Sequence, residues 1–164
     1  MLYNKFMKLK DVPKLVLAIG VSELAGIIGS VFTVSSIQSW YTTLTKPALN
    51  PPSWVFGPVW TTLYALMGIA AYLIWKQGWR KREVKIALGV FGVQLFLNAM
   101  WSIMFFGQQN PGLALINIVL LWLTIIWTMV VFSNISKPAM YLLVPYILWV
   151  SFATYLNYAI WILN

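Results

Sequence analysis

The chain has 164 residues, 61% of them hydrophobic and 9% charged, with ten Trp and a formal net charge of +8. A soluble domain of this size cannot hide so much apolar surface, so the solvent is lipid. With no cysteine and no histidine, disulfides, thiolate chemistry, the usual zinc sites and imidazole acid–base catalysis are excluded; the positive charge reports orientation across a bilayer rather than nucleic-acid binding.

A bilayer core of about 30 Å takes roughly 20 apolar residues in a helix. Five stretches qualify, at about 15–37, 54–75, 84–106, 113–132 and 139–163. The first follows a basic N-terminal segment as a signal peptide would, but its apolar run is too long and no small-x-small cleavage site is clear, so it is expected to stay. It carries Ser22, Gly26 and Ser30 at intervals of four, with Ala25 and Gly29 beside them, a pattern that lets helices approach closely. Glu23 is an acidic residue within that span. It reads either as a functional carboxylate or as a neutral or amide-paired group that fixes helix register.

The connection at about 38–53 is long enough to have a shape of its own. In "KPALNPPSWVFGPVW", residues 46–60, four prolines and two tryptophans form a stiff aromatic collar. In the second span Trp60, Tyr64, Met67 and Ala71 share a face, and Pro58 sits in the first turn or kinks the helix. "KQGWRKRE" at 76–83 leads to the third span, whose stripe is Gln94, Asn98, Trp101 and Phe105. "GQQNPG" and "SNISKP" bracket the fourth span. In the fifth, Trp149, Ala153 and Leu156 align, flanked by Phe152 and Asn157, and Pro145 is expected to bend the helix.

Five spans put Lys5, Lys8, Lys10, Lys14, Lys76, Arg80, Lys81, Arg82, Lys85 and Lys137 on one side and only Lys46 on the other. The positive-inside rule then sets the N-terminus in the cytoplasm and the C-terminus outside. The expected architecture is an all-α membrane protein, one domain over 1–164, in which 38–53 is an outer lid loop.

Any single tryptophan reads first as helix packing or as part of an interfacial belt. Amides in hydrocarbon, however, need partners, so Gln94, Asn98 and Asn157 should face the bundle interior and carry the aromatics of their stripes inward. Indoles and amides pointing in describe a lined cavity.

"WYTTLTKPALNPPSWVFGPVWTTLY", "QLFLNAMWSIMFF" and "PYILWVSFATYLNY" occur in that order over nearly the whole chain. This pattern resembles the translocator protein family, also called tryptophan-rich sensory proteins or peripheral-type benzodiazepine receptors. The resemblance implies a five-helix bundle, often a homodimer, with a pocket closed by the first loop. Members bind porphyrins and synthetic isoquinoline carboxamides and benzodiazepines there. By motif position the ligand-binding residues would be Trp60, Trp149, Tyr41, Asn98, Trp101, Ser102 and Ala153, with Pro51 and Pro52 as the lid. Vertebrate members carry a proposed cholesterol pattern at the end of the fifth helix. Here "LNYAIWILN" has no cation, so sterol binding is not carried over.

Three functions follow in order. The first is a receptor or sensor for a flat aromatic ligand such as protoporphyrin IX, since indole faces stack on such rings. Haem is a weaker fit because no His or Cys is available as an axial ligand, and no cofactor is required. The second, implied by the resemblance, is light- and oxygen-dependent porphyrin degradation with Trp60 and Trp149 as catalytic residues; no conventional base, nucleophile or metal set accompanies them. The third is a membrane scaffold. Secondary transport lacks support, since no broken half-helices or repeats are evident. The charge bias and the absence of a targeting peptide favour a prokaryotic cell membrane.

Overall fold

The computed structural model describes residues 11–164; Lys5, Lys8 and Lys10 of the charge count lie outside them. Helix α1 (Val12–Ile37) leads through the short α2 (Trp40–Thr43) and a 3-10 turn (Ser53–Val55) to α3 (Phe56–Trp75). Helix α4 (Arg82–Ser102) ends in a π-turn (Ile103–Gly107), and α5 (Pro111–Ser133), α6 (Lys137–Tyr141) and α7 (Val144–Leu163) complete the bundle. Five helical segments, Val12–Ile37, Ser53–Trp75, Arg82–Gly107, Pro111–Ser133 and Lys137–Leu163, are long and apolar enough to span a bilayer. They match the five expected spans to within three residues at each end.

Proline placement explains several boundaries. Pro13 and Pro111 occupy first turns, where a missing N–H costs nothing, and Asn110 caps α5 by accepting from Leu113 N at 2.9 Å. Pro58 likewise lies in the first turn of α3. The disturbance expected at Pro145 takes the form of an interruption at Leu142–Leu143: α6 ends at Tyr141, whose carbonyl four residues before the proline loses its helical partner, and α7 restarts at Val144 with Pro145 in its first turn.

The main core joins α3, α4, α5, α6 and α7 through fully enclosed side chains such as Met67, Ile74, Val84, Ile125, Phe132 and Leu143. A second cluster lies at the loop end of the bundle, where Tyr41, Phe105 and Phe106 pack with Ala114 and Ile160. The π-turn helps to build it. The Phe106 carbonyl, free because the helix ends here, accepts the Ser36 hydroxyl of α1 at 2.8 Å.

Helix α1 is the most peripheral; only Ala18, Ser22, Gly29 and Ser36 are buried, and Val16, Leu17, Val31 and Val34 are exposed. Because lipid is as apolar as its side chains, α1 is held by close packing rather than by hydrophobic drive. Near the basic end a Cβ on Gly68 would overlap the Ile19 backbone, and one on Gly26 would overlap the Tyr64 ring, so α1 lies against α3 there. Towards the loop end Gly29 faces Ser102, and Phe32 lies over Gly107, so α1 has moved onto the end of α4. It crosses the bundle obliquely and leaves a gap on each side of the crossing.

Gly68→Ala should cost about 1 to 3 kcal/mol by overpacking against backbone that cannot yield. Gly89→Ala, where an added Cβ meets nothing within 4 Å, should be neutral or stabilising. Thermal unfolding in detergent compares the two, and equal melting temperatures would show that α1 is not seated by this contact.

Candidate ligand cavity

At the loop end the gap between α1 and α3 opens into a cavity of about 390 Å³. Its walls come from α1, the loop, α3, the end of α4 with the π-turn, and α7. Trp60, Trp101 and Trp149 reach it from three different helices. Ile27, Val34, Thr61 and Gly57 rim its α1–α3 side and are themselves exposed, so that side faces the bilayer.

A polar network forms the floor. The Tyr64 hydroxyl donates to Asn98 Oδ1, Asn98 Nδ2 donates to the Tyr146 hydroxyl at 2.9 Å, and that hydroxyl donates to Gln94 Oε1 at 2.8 Å. Gln94 Nε2 ends the series on the Met67 sulfur at 3.8 Å. Every member is buried; in hydrocarbon only protein partners can satisfy such groups. Higher in the cavity Trp101 Nε1 donates to Asn157 Oδ1 at 2.9 Å, and Asn157 Nδ2 donates to the Pro111 carbonyl at 2.8 Å, which links α4, α7 and α5.

The indoles are fixed by aromatic neighbours. Trp60 stacks on Tyr64 with centroids 5.5 Å apart, Trp101 stacks on Phe105 at 5.2 Å, and Trp149 meets the edge of Phe56 at 6.1 Å. Trp149 Nε1 is buried and has no hydrogen-bond partner. The atom is enclosed by protein, so the indole presents its ring rather than its donor to the chamber.

The roof is the loop. Tyr41 is 5% exposed, wedged against Phe105 and Phe106, and its hydroxyl donates to Asn50 Oδ1 at 2.8 Å. Burial pushes the Tyr41 phenol above its ordinary pKa, with the Asn50 hydrogen bond opposing the shift, so the ring stays neutral at physiological pH. Lys46 Nζ sits 4.8 Å over the Tyr41 ring and donates to the Leu44 carbonyl at 3.0 Å. At the end of α7, Asn164 pairs with both the N–H and the carbonyl of Thr45, at 2.9 and 3.1 Å.

Of the nine residues singled out from the sequence, the fold brings seven to the cavity wall: Tyr41, Trp60, Asn98, Trp101, Ser102, Trp149 and Ala153. Pro51 and Pro52 do not reach it. The loop contributes Ser53 instead, and the first turn of α3 contributes Phe56. The prolines act at one remove: the Pro47 and Pro51 carbonyls hold Asn50 in place at 2.9 and 3.1 Å, and Asn50 holds Tyr41. Glu23 is half-buried on the α1 wall, and Ser30, expected in a helix contact, is exposed at the cavity edge. Sequence reasoning missed Tyr146 and Asn50 as the partners that orient wall residues. The signal for Tyr146 was its place three positions before Trp149.

A bundle of membrane-spanning helices around an internal tryptophan-lined cavity defines a multi-pass integral membrane protein with a ligand-sized chamber. The TspO/MBR family profile matches residues 18–162. The chain is 49% identical to the tryptophan-rich protein TspO of Chlorobaculum tepidum over 155 residues, covering 94% of this chain and 98% of that one. It is 44% identical to the protein of the same name from Archaeoglobus fulgidus, over 94% and 99% of the two chains. The human translocator protein is 41% identical over 84% of this chain and 82% of its own. The chain belongs to the TspO/MBR family.

Asn98→Leu strands the Tyr64 hydroxyl and leaves the Tyr146 hydroxyl with Gln94 alone, and should destabilise the bundle by about 1 to 2 kcal/mol. Thermal unfolding in detergent reads the effect, and an unchanged midpoint would show that the network does not hold the helices.

Proposed function

We propose that this protein is a membrane receptor or sensor for a flat aromatic ligand, with a metal-free tetrapyrrole such as protoporphyrin IX as the preferred class. The carrying observation is the convergence of Trp60, Trp101 and Trp149 on one cavity. A volume near 390 Å³ lies within the range of about 300 to 1,000 Å³ usual for small-molecule sites. Stacking on indole and phenol faces supplies the affinity. Isoquinoline carboxamides fit the same chemistry, being flat rings.

Charge narrows the pose. The roof offers Lys46 as its cation, so a dicarboxylic tetrapyrrole would place its acid groups at the loop and its ring below. The absence of His and Cys favours the metal-free ring over haem. The same reading sets the N-terminus in the cytoplasm of a prokaryotic cell, by the positive-inside bias, and takes the working form to be a homodimer.

Titration with protoporphyrin IX should shift its Soret band and quench tryptophan fluorescence. Trp149→Ala removes a stacking face and should weaken binding about tenfold, or 1.4 kcal/mol. Illumination in oxygen separates binding from catalysis. Equal bleaching by wild type, Trp60→Phe and Trp149→Phe is expected of a receptor. A defined product that disappears in both variants while the ring still binds would replace the receptor by a photo-oxidative enzyme. Absence of any spectral shift would remove both readings.

A further inference from the structure

At the opposite end of the bundle the second gap, between α1 and α4, forms a groove of about 300 Å³ that none of the described residues fills. It exists because α1 lies against α3 there, as Gly68 requires, and so stands away from α4. Leu17 and Val21 form one wall, Leu88 and Leu95 the other, and Ala71 the base. From Leu88 to Leu95 the groove follows α4 for roughly 10 Å, the reach of part of one acyl chain.

Its mouth differs chemically from its walls. Trp75 and Trp79 close the basic end, their ring centroids 6.1 Å apart, and Trp79 is 55% exposed. Gly78, at φ +127°, makes the turn that returns Trp79 to the groove, a conformation that favours glycine. The same turn and the first turn of α4 carry Lys76, Arg80, Lys81, Arg82 and Lys85 against a single acid, Glu83. None of these is ion-paired among the described residues, where the one salt bridge is Lys14–Asp11 at 3.8 Å.

We propose that this groove binds an anionic phospholipid, with one acyl chain between α1 and α4 and the phosphate headgroup on the 76–85 cations. Tryptophans at headgroup depth and a basic cluster at the end of a span are the two features such recognition needs. Charge also argues against a second copy of this chain as the occupant. A two-fold symmetric contact would bring the same five cations against themselves, whereas an anionic lipid neutralises them. The site stands apart from the aromatic cavity and does not depend on its ligand.

The test uses the full chain in detergent, titrated with dioleoyl phosphatidylglycerol or dioleoyl phosphatidylcholine, with retained lipid counted by native mass spectrometry. One phosphatidylglycerol per chain should be kept at least tenfold more readily than phosphatidylcholine, and glycerol phosphate should not displace it. The triple variant Arg80→Gln, Lys81→Gln, Arg82→Gln should retain the two lipids equally. Gly92→Leu should lose the bound lipid, because a side chain there meets nothing within 4 Å and projects into the groove without distorting the helices. Thermal unfolding confirms that both variants are folded. Equal retention of both lipids by wild type, displacement by glycerol phosphate, or full retention by Gly92→Leu would each overturn the proposal. So would a Gly92→Leu chain with an altered subunit count, since the groove would then be a protein interface.

Discussion

Hydrocarbon offers no hydrogen bonds, and this constraint sets the rotation of three helices. The relay from Tyr64 through Asn98 and Tyr146 to Gln94 joins α3, α4 and α7, and each contributor must face the others or lose its partner. Each of the three helices also carries a tryptophan one turn nearer the loop. Trp60 precedes Tyr64 on α3, which descends from the loop; Trp101 follows Asn98 and Trp149 follows Tyr146 on helices that ascend towards it. Residues three or four apart share a helix face. Rotations that satisfy the network therefore aim all three indoles at one point, and the cavity follows from the polar floor beneath it.

Helix α1 is governed by a different constraint. It contributes nothing to the relay and little to the core, and its seating is steric, through glycines on both partners. Contact with α3 near the basic end and with the end of α4 near the loop forces an oblique crossing. Such a crossing cannot fill both flanks. One flank becomes the α1–α3 side of the aromatic cavity and the other the apolar groove at the basic end. The two openings are thus consequences of a single packing choice, which a bulkier residue at Gly68 would forbid.

The five spans were legible because each exceeds the length that lipid demands, and the stripes because amides in hydrocarbon must turn inward. The structure buries Gln94, Asn98 and Asn157 as that reasoning required. What stayed hidden depended on three-dimensional detail. Periodicity shows that Tyr64 shares a face with Trp60 but not that its hydroxyl reaches Asn98. Pro51 and Pro52 looked like a lid because proline is stiff, yet stiffness says nothing of which side chain points down; the chain folds so that their neighbours Tyr41 and Phe56 do. Pro145 suggested a disturbed helix, and the break at Leu142–Leu143 lies within one turn before it, but the continuous apolar run did not show that two separate helices would result. Gly68 lay outside the recognised small-residue stripe because the close approach is set by its partner, the Ile19 backbone.

The hydrogen bonds that hold the roof differ in kind from those that hold the floor. Tyr41 with Asn50, Asn50 with Pro51, and Thr45 with Asn164 are part-buried or exposed, and each can exchange for water at the membrane surface. The relay below is buried throughout and has no such alternative. Local opening costs least where backbone and side-chain bonds already meet solvent. The roof therefore rests on the aromatic packing of Tyr41 against Phe105 and Phe106 more than on its hydrogen bonds, while the relay alone fixes the rotation of the three helices and the aim of their indoles. Stiffness in the 46–60 collar serves this arrangement, because the Pro47 and Pro51 carbonyls hold Asn50 and Asn50 holds the Tyr41 hydroxyl over the chamber.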